Sequence, residues 1–438
     1  MNTLVYRECR LDWPRVRFRY EALGRSWESG IELAGVDAVV GEPEVVESLA
    51  AHIGISMAFE YFQLADFDAV RIDALPLAEV TRAALERSFP RYLSEWRYVN
   101  GLDLRRPIRV IAGHAAGGVP SPATAPPGDE ILLLNGGGKD TAVAAELLDA
   151  LAEPYTLLTV TRGARPFPSQ RAIARVSGRP AIHVRKFLPA SELAAHGMHK
   201  RVPGVRLGYI AFLVAYLGGF HSIVSANEFS ANFSNVVVDG VEINHQLGKS
   251  FARERLLDGY VARRLVTGIR YYSLVAPLYE LQIARLFADS PRYLSAFVSC
   301  NVGQSRGRWC KACPKCAFIF LLLAGFLSHD ALTGVFGENL FHRDEIRRWI
   351  VRLTQPGPQP LECVGPKDEA KLALHFALAN PSFEGRLDDA TRRTFRYCLQ
   401  GFDVEAAREA IMGTIDRPHG IPEPLAGRLR AQLRDRLL

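Results

Sequence analysis

Residues 131–151 read ILLLNGGGKDTAVAAELLDAL. The opening apolar run is too short for a helix and shows no polar alternation, which predicts a strand buried on both faces. Three glycines force a turn. The residues that follow place Val143, Leu147, Leu148 and Leu151 on one helical face. A strand passing directly into a helix is the unit of a parallel sheet, because parallel neighbours need a crossover. The rhythm continues through strand-like YTLLTVT and AIHVRKF, helical LGYIAFLVAYLGG and strand-like SIVSAN. The predicted class is α/β, an open, mostly parallel sheet with helices on both faces.

At 438 residues, with 48% apolar and 23% charged residues, the chain has room for two or three domains and no composition of disorder. The stretch AGHAAGGVPSPATAPPG, 112–128, has no apolar period and reads as a linker. It separates a mixed α/β N-terminal domain (1–111) from the central α/β domain (129–328), and a helical region fills 329–438, broken at TQPGPQP. The aromatic residues of LAEVTRAALERSFPRYLSEWRYV recur at helical spacing and are expected in a core. No internal repeat is evident. The N-terminus is charged throughout and lacks the apolar core of a signal peptide. The oily runs YIAFLVAYLGGF and FIFLLLAGFL are about half of the roughly 20 residues a membrane span needs, and both predict buried helices. A cytoplasmic protein is expected. The net charge of +6 suits anionic ligands, but Lys and Arg are scattered, so no nucleic-acid partner is expected.

A glycine turn between strand and helix is a phosphate-binding design. The backbone can approach closely, N–H groups point inward, and the helix start adds partial positive charge. Lys139 can neutralise phosphate oxygens, Asp140 can hold Mg²⁺, and Thr141 supplies a hydroxyl. The spacing fits neither the Walker loop nor the dinucleotide fingerprint. GGGKDT, residues 136–141, resembles the SGGKDS loop of the N-type ATP pyrophosphatase (PP-loop) superfamily, with Gly136 in place of the first Ser and Thr141 in place of the last. That resemblance implies a PP-loop/HUP-like fold that splits ATP between the α and β phosphates and adenylates an acceptor. The implied ATP-binding set is Asn135, Gly136, Gly137, Gly138, Lys139, Asp140 and Thr141, with Asp140 on Mg²⁺.

SCNVGQSRGRWCKACPKC contains Cys300, Cys310, Cys313 and Cys316. Two interlocked C-x-x-C steps and a fourth thiol make a tetrahedral set suited to structural Zn²⁺. A similar four-Cys site follows the late strands of 7-cyano-7-deazaguanine synthase, another PP-loop enzyme. Cys9, Cys363 and Cys398 stand alone and read as structural.

Residues 225–251, SANEFSANFSNVVVDGVEINHQLGKSF, crowd polar side chains just past a strand end, where open α/β sheets bind ligands. The stretch alternates with apolar Phe229, Phe233 and Ile243, so it is expected to pack against the core. If NHQLGKS opens a helix, His245 and Lys249 share a face. SANE-x-SAN-x-x-N, INHQ-x-x-KS and the SPRYLSAFVSCN…WCKACPKC run resemble the MurL family. These are ATP-dependent epimerases that invert the terminal glutamate of UDP-N-acetylmuramoyl-L-alanyl-L-glutamate in peptidoglycan biosynthesis.

The resemblance implies that substrate, with ATP, Mg²⁺ and structural Zn²⁺, and functional coupling to a muramoyl-L-alanine:L-glutamate ligase. It assigns proton transfer to His245 as the preferred base, with Lys249 or Glu228 on the other face. Asn227, Asn232, Asn235, Asn244, Gln246 and Ser250 become substrate-binding candidates. Two other readings share these motifs: a PP-loop enzyme that adenylates tRNA or a deazapurine, and a non-catalytic zinc-bearing module that binds nucleic acid or protein.

Overall fold

A computed structural model describes residues 2–36, 41–114, 121–194 and 207–437. The chain opens with an antiparallel meander of β1 (Thr3–Asp12), β2 (Arg15–Ala22) and β3 (Arg25–Glu32). Alternation in β2 is clean: Val16, Phe18, Tyr20 and Ala22 are buried while Arg15 and Arg19 face water. Beyond β1, two strands add in parallel, β4 (Ala69–Ile72) and β5 (Arg109–Ala112). The later strands are β6 (Ala123–Thr124), β7 (Glu130–Leu134), β8 (Tyr155–Thr161), β9 (Ala181–Phe187), β10 (Phe220–Ser225), the hairpin β11 (Val236–Val238) and β12 (Val241–Ile243), β13 (Val266–Thr267) and β14 (Arg270–Ser273).

Ten strands form one sheet in the order β14-β10-β7-β8-β9-β3-β2-β1-β4-β5. Its joint is the antiparallel pair β3–β9, with Gly30 opposite Phe187 and Glu32 opposite Arg185. A Cβ at Gly30 would lie 2.2 Å from the Val16 carbonyl oxygen and 2.4 Å from the Phe187 ring, so the joint needs glycine there. Strands from before and after the Pro-rich stretch 112–128 therefore share one sheet; residues 115–120 of that stretch lie outside the described residues.

The five strands β14, β10, β7, β8 and β9 run parallel to one another. Taken in chain order they run 3-2-1-4-5, the doubly wound arrangement. Connections leave β7 and β10 in opposite directions, so the carboxyl ends of these two strands form the switch point at which such sheets bind ligands. Alternation divides the core in two. Ile131, Leu133, Leu157 and Val224 face the helices Lys139–Ala150, Glu280–Ala288 and Pro314–Ala324. Leu132, Leu134, Leu158 and Ile223 face the helices Pro43–Met57, Glu79–Val99 and Leu207–Gly218.

Both oily runs are buried helices. Pro314–Ala324 is covered by the helices Asp344–Thr354 and Lys367–Ala379, which explains why it is apolar all round. No helix among the described residues is long and apolar enough to cross a membrane. From His329 onward the described regular elements are helical. Tyr92 and Trp96 of Glu79–Val99 are buried, as their spacing predicts.

Candidate active site at the switch point of the sheet

The glycine turn lies at the carboxyl end of β7, beside the polar stretch that follows β10. Gly137 has φ +77°, and a Cβ there would sit 2.5 Å from Ser169 Oγ, so only glycine fits. The Gly136 N–H donates to Thr141 Oγ1 at 3.1 Å, and the Gly137 N–H donates to Asn135 Oδ1 at 3.0 Å. Asn135 in turn donates its amide to the Gln170 carbonyl at 2.9 Å. Asn135 and Thr141 thus shape the turn. The helix Lys139–Ala150 begins here, and its first-turn N–H groups at Asp140 and Thr141 have no intrahelical acceptor.

Below the turn lies a buried charge cluster. Lys139 is fully buried and ion-pairs with Asp140 and with Glu280, at the start of the helix Glu280–Ala288. Carboxylate oxygens of Asp140, Glu228 and Glu280 lie within 4.8 Å of one another. Lys249 Nζ reaches Glu228 Oε1 at 3.4 Å and Gln246 Oε1 at 3.2 Å. Burial alone would pull the Lys139 ammonium down, but Asp140 and Glu280 outweigh it and hold it above its usual value. Lys249 is likewise held up against burial, by Cys363 and Glu228 first. Burial pushes the Glu280 carboxyl well above the ordinary range, with Lys139 opposing and Asp140 and Glu228 adding.

Three carboxylates therefore surround two ammoniums. Glu228 Oε2, on a side chain 1% exposed, has no hydrogen-bond partner among the described residues. An all-oxygen donor set with an orphaned buried lone pair fits a hard cation such as Mg²⁺.

His245 does not begin a helix. Gly248 interrupts, only a short 3₁₀ turn spans Leu247–Lys249, and the helix starts at Phe251. His245 and Lys249 share a site through loop folding, not through a common helical face. His245 Nδ1 faces the Glu95 carboxylate at 2.9 and 3.0 Å. Burial would lower the imidazole; Cys363 and Glu95 reverse this and lift it to about 9. His245 therefore rests as the imidazolium at neutral pH.

The asparagines mainly organise loops. Asn235 donates to the carbonyls of Pro360 at 2.6 Å and Glu362 at 3.3 Å while accepting from the His245 N–H at 2.8 Å. Asn232 bridges the Phe229 carbonyl and the Phe251 N–H, and Asn244 bridges the Ala231 carbonyl and the Gln246 N–H. Asn227 donates to Ser225 Oγ, and Ser250 Oγ donates to the Leu247 carbonyl. Ile243 packs in the core as expected, whereas Phe233 is 40% exposed, resting on Tyr279 instead. Sequence reading missed Glu280, Glu95 and Cys363. Their positions carry no local motif, and Cys363 looked isolated because its neighbours are remote in the chain.

The four clustered cysteines come together as predicted. Their sulfurs lie within 4.8 Å of one another, with Cys310 and Cys316 3.7 Å apart. Four thiolates about 2.3 Å from a tetrahedral zinc would sit roughly 3.8 Å apart, so the set fits that ion. N–H groups of Gly303 and Cys310 donate to Cys300 Sγ, and that of Cys316 donates to Cys313 Sγ. The same loop braces the glycine turn. Val298 N–H donates to the Gly137 carbonyl at 3.1 Å, Gln304 Nε2 donates to the Gly136 carbonyl at 2.6 Å, and Ser299 Oγ accepts from the Lys139 N–H at 3.4 Å.

Fold and site define a class: a doubly wound α/β protein with a buried charge cluster at its switch point and a four-thiol loop bracing the glycine turn. The family model for the MurL N-terminal domain matches residues 1–274, and that for the MurL C-terminal domain matches 296–393. The chain belongs to the MurL epimerase family. It is 30% identical to the UDP-N-acetyl-alpha-D-muramoyl-L-alanyl-L-glutamate epimerase of Xanthomonas oryzae pv. oryzae (strain MAFF 311018), covering 98% of this chain and 97% of that one. Proteins of the same name from Micromonospora sp. (30% identity, 80% of this chain and 79% of that one) and Salinispora tropica (32%, 68% and 66%) are also similar.

Proposed function

We propose that this protein is an ATP-dependent isomerase of the PP-loop type acting in peptidoglycan biosynthesis. It converts the terminal L-Glu of UDP-N-acetylmuramoyl-L-alanyl-L-glutamate to D-Glu through an adenylated α-carboxylate, releasing AMP and pyrophosphate. The observation that carries the reading is a phosphate-type glycine turn whose Asp140 lies within 4.8 Å of Glu228, itself paired with Lys249, in a chain similar over nearly its whole length to a protein named for that substrate.

Removing the α-proton beside an ionised carboxylate would place two negative charges on the enolate. Adenylation removes one of them, and each tenfold gain in rate needs only about 1.4 kcal/mol off the barrier. The N–H groups of the turn bind the outer phosphates, with Lys139, buried beneath them between Asp140 and Glu280, adding positive charge from below; Asp140, with Glu228 and Glu280, would hold Mg²⁺, which neutralises phosphate charge among these carboxylates. His245, once its imidazolium has released a proton to solvent, takes the α-proton on one face; the Lys249 ammonium donates a proton on the other and is recharged from solvent. The four-thiol site would hold Zn²⁺ as a structural ion.

The test supplies ATP, Mg²⁺ and the UDP-muramoyl dipeptide in deuterated water. AMP, pyrophosphate and α-deuterated D-Glu product are expected; formation of ADP, or an unchanged dipeptide, would remove the reading.

A further inference from the structure

One titratable group beside the site has no part in that scheme. Cys363 lies in the irregular segment between the helices Asp344–Thr354 and Lys367–Ala379, is half-buried, and sits beside the His245 side chain, each shifting the other's charge. Its loop is pinned on both sides. Asn235 holds the Pro360 and Glu362 carbonyls, Gln246 Nε2 donates to the Val364 carbonyl at 3.3 Å, and Asn301 Nδ2 donates to Glu362 Oε2 at 2.7 Å. With Nδ1 of His245 taken by Glu95, a residue 2% exposed, the other ring nitrogen is left for the thiol.

Burial would raise the thiol, but Lys249, Lys315 and His245 outweigh it and bring it down to about 6. The resting pair is thiolate and imidazolium.

Two groups lying side by side approach a substrate from one side. They cannot serve opposite faces of one α-carbon, but attack on a carbonyl needs only one side. A sulfur paired with a histidine that a carboxylate orients is the arrangement of acyl transfer.

We propose that Cys363, with His245 and Glu95, is a nucleophilic centre that takes the activated glutamyl group as a thioester. This rests on the adenylate reading above. Sγ attacks the carbonyl carbon; the C–S bond forms, the C–O bond to AMP breaks, and AMP leaves with the electron pair. The uncharged thioester acidifies the neighbouring Cα–H, which is removed on one face and replaced on the other. Water then adds at the carbonyl, the C–S bond breaks, its electron pair returns to sulfur, and the proton passes to solvent.

Rapid acid quench of the wild-type enzyme with ATP, Mg²⁺ and the UDP-muramoyl dipeptide, followed by mass analysis of the peptide containing Cys363, is the test. A glutamyl adduct released by neutral hydroxylamine is expected, together with loss of the adduct and a fall of about a thousandfold in D-Glu formation in C363A. C363S, which keeps the side-chain shape but not the thiolate, should still melt cooperatively as a folded protein and be equally inactive. Wild-type enzyme that makes no AMP removes the adenylate reading and this one with it. AMP and D-Glu product formed without any adduct, or C363A turning over at the wild-type rate, overturns the thioester alone.

Discussion

Lys139 is the residue on which the charge cluster turns. It is a buried cation between two carboxylates, with a third nearby, so acids exceed bases in this pocket. Removing the base is therefore costlier than removing an acid. Lys139→Met should destabilise the fold by roughly 3–5 kcal/mol, the cost of leaving buried charge uncompensated, whereas Glu280→Gln should cost clearly less. Both should abolish AMP formation. Urea melts of the two variants would show similar losses if the cluster were balanced, and the reverse order if bases were in excess.

The His245–Cys363 pair predicts a pH signature. The histidine is raised to about 9, so its contribution is complete below its unfolded value near 6.5 and is lost as pH rises through 9. The cysteine is lowered to about 6, so its contribution is complete above its unfolded value and is lost as pH falls through 6. Between roughly 6.5 and 8.5 the two slopes oppose each other. Wild-type stability should be nearly flat there on this pair's account. Cys363→Ala removes the thiolate slope and also the first of the two groups that raise His245, so the variant should keep only the smaller loss of stability with rising pH that Glu95 supports; denaturant melts at three pH values would measure it.

At the scale of elements, the glycine turn depends on two supports. One is its own backbone: Gly137→Ala places a Cβ on Ser169 at positive φ, and a loss of about 1–3 kcal/mol is expected, with weakened ATP binding by calorimetry. The other is the cysteine loop, which bonds the turn through Val298, Ser299 and Gln304. Elemental analysis should find about one zinc per chain, and stripping it with a strong chelator should lower both the melting temperature and AMP formation, since structural zinc supplies folding energy directly. Unchanged melting after complete zinc loss would contradict this coupling.

The elements themselves were largely legible. YTLLTVT and AIHVRKF coincide with β8 and β9, and Val143, Leu147, Leu148 and Leu151 are buried along one helix as their period requires. The misread element is NHQLGKS, where a helical spacing of polar residues was outvoted by Gly248 and by loop contacts from Asn232 and Asn235.

At the scale of the molecule, the ten-stranded sheet joins β3 to β9, and the helix Pro43–Met57 packs against Leu207–Gly218. Residues 129–437 produced alone would bare the β9 edge and an apolar helix face. That fragment should aggregate or elute as large oligomers in size-exclusion chromatography, while the full chain unfolds as one unit. A monomeric, cooperatively melting fragment would show that the joint is dispensable.

Local periodicity, turn chemistry and ligand spacing act over a few residues, so the sequence alone determined the α/β class, the glycine turn, the four-thiol set and the polar stretch beyond β10. Only the tertiary structure decided that the N-terminal meander continues the central sheet, that Glu280 pairs with Lys139, and that Glu95 and Cys363 meet at His245. Those partners come from segments far apart in the chain. They are brought together by burial of two apolar faces, and that process leaves no mark in the residues next to any one of them.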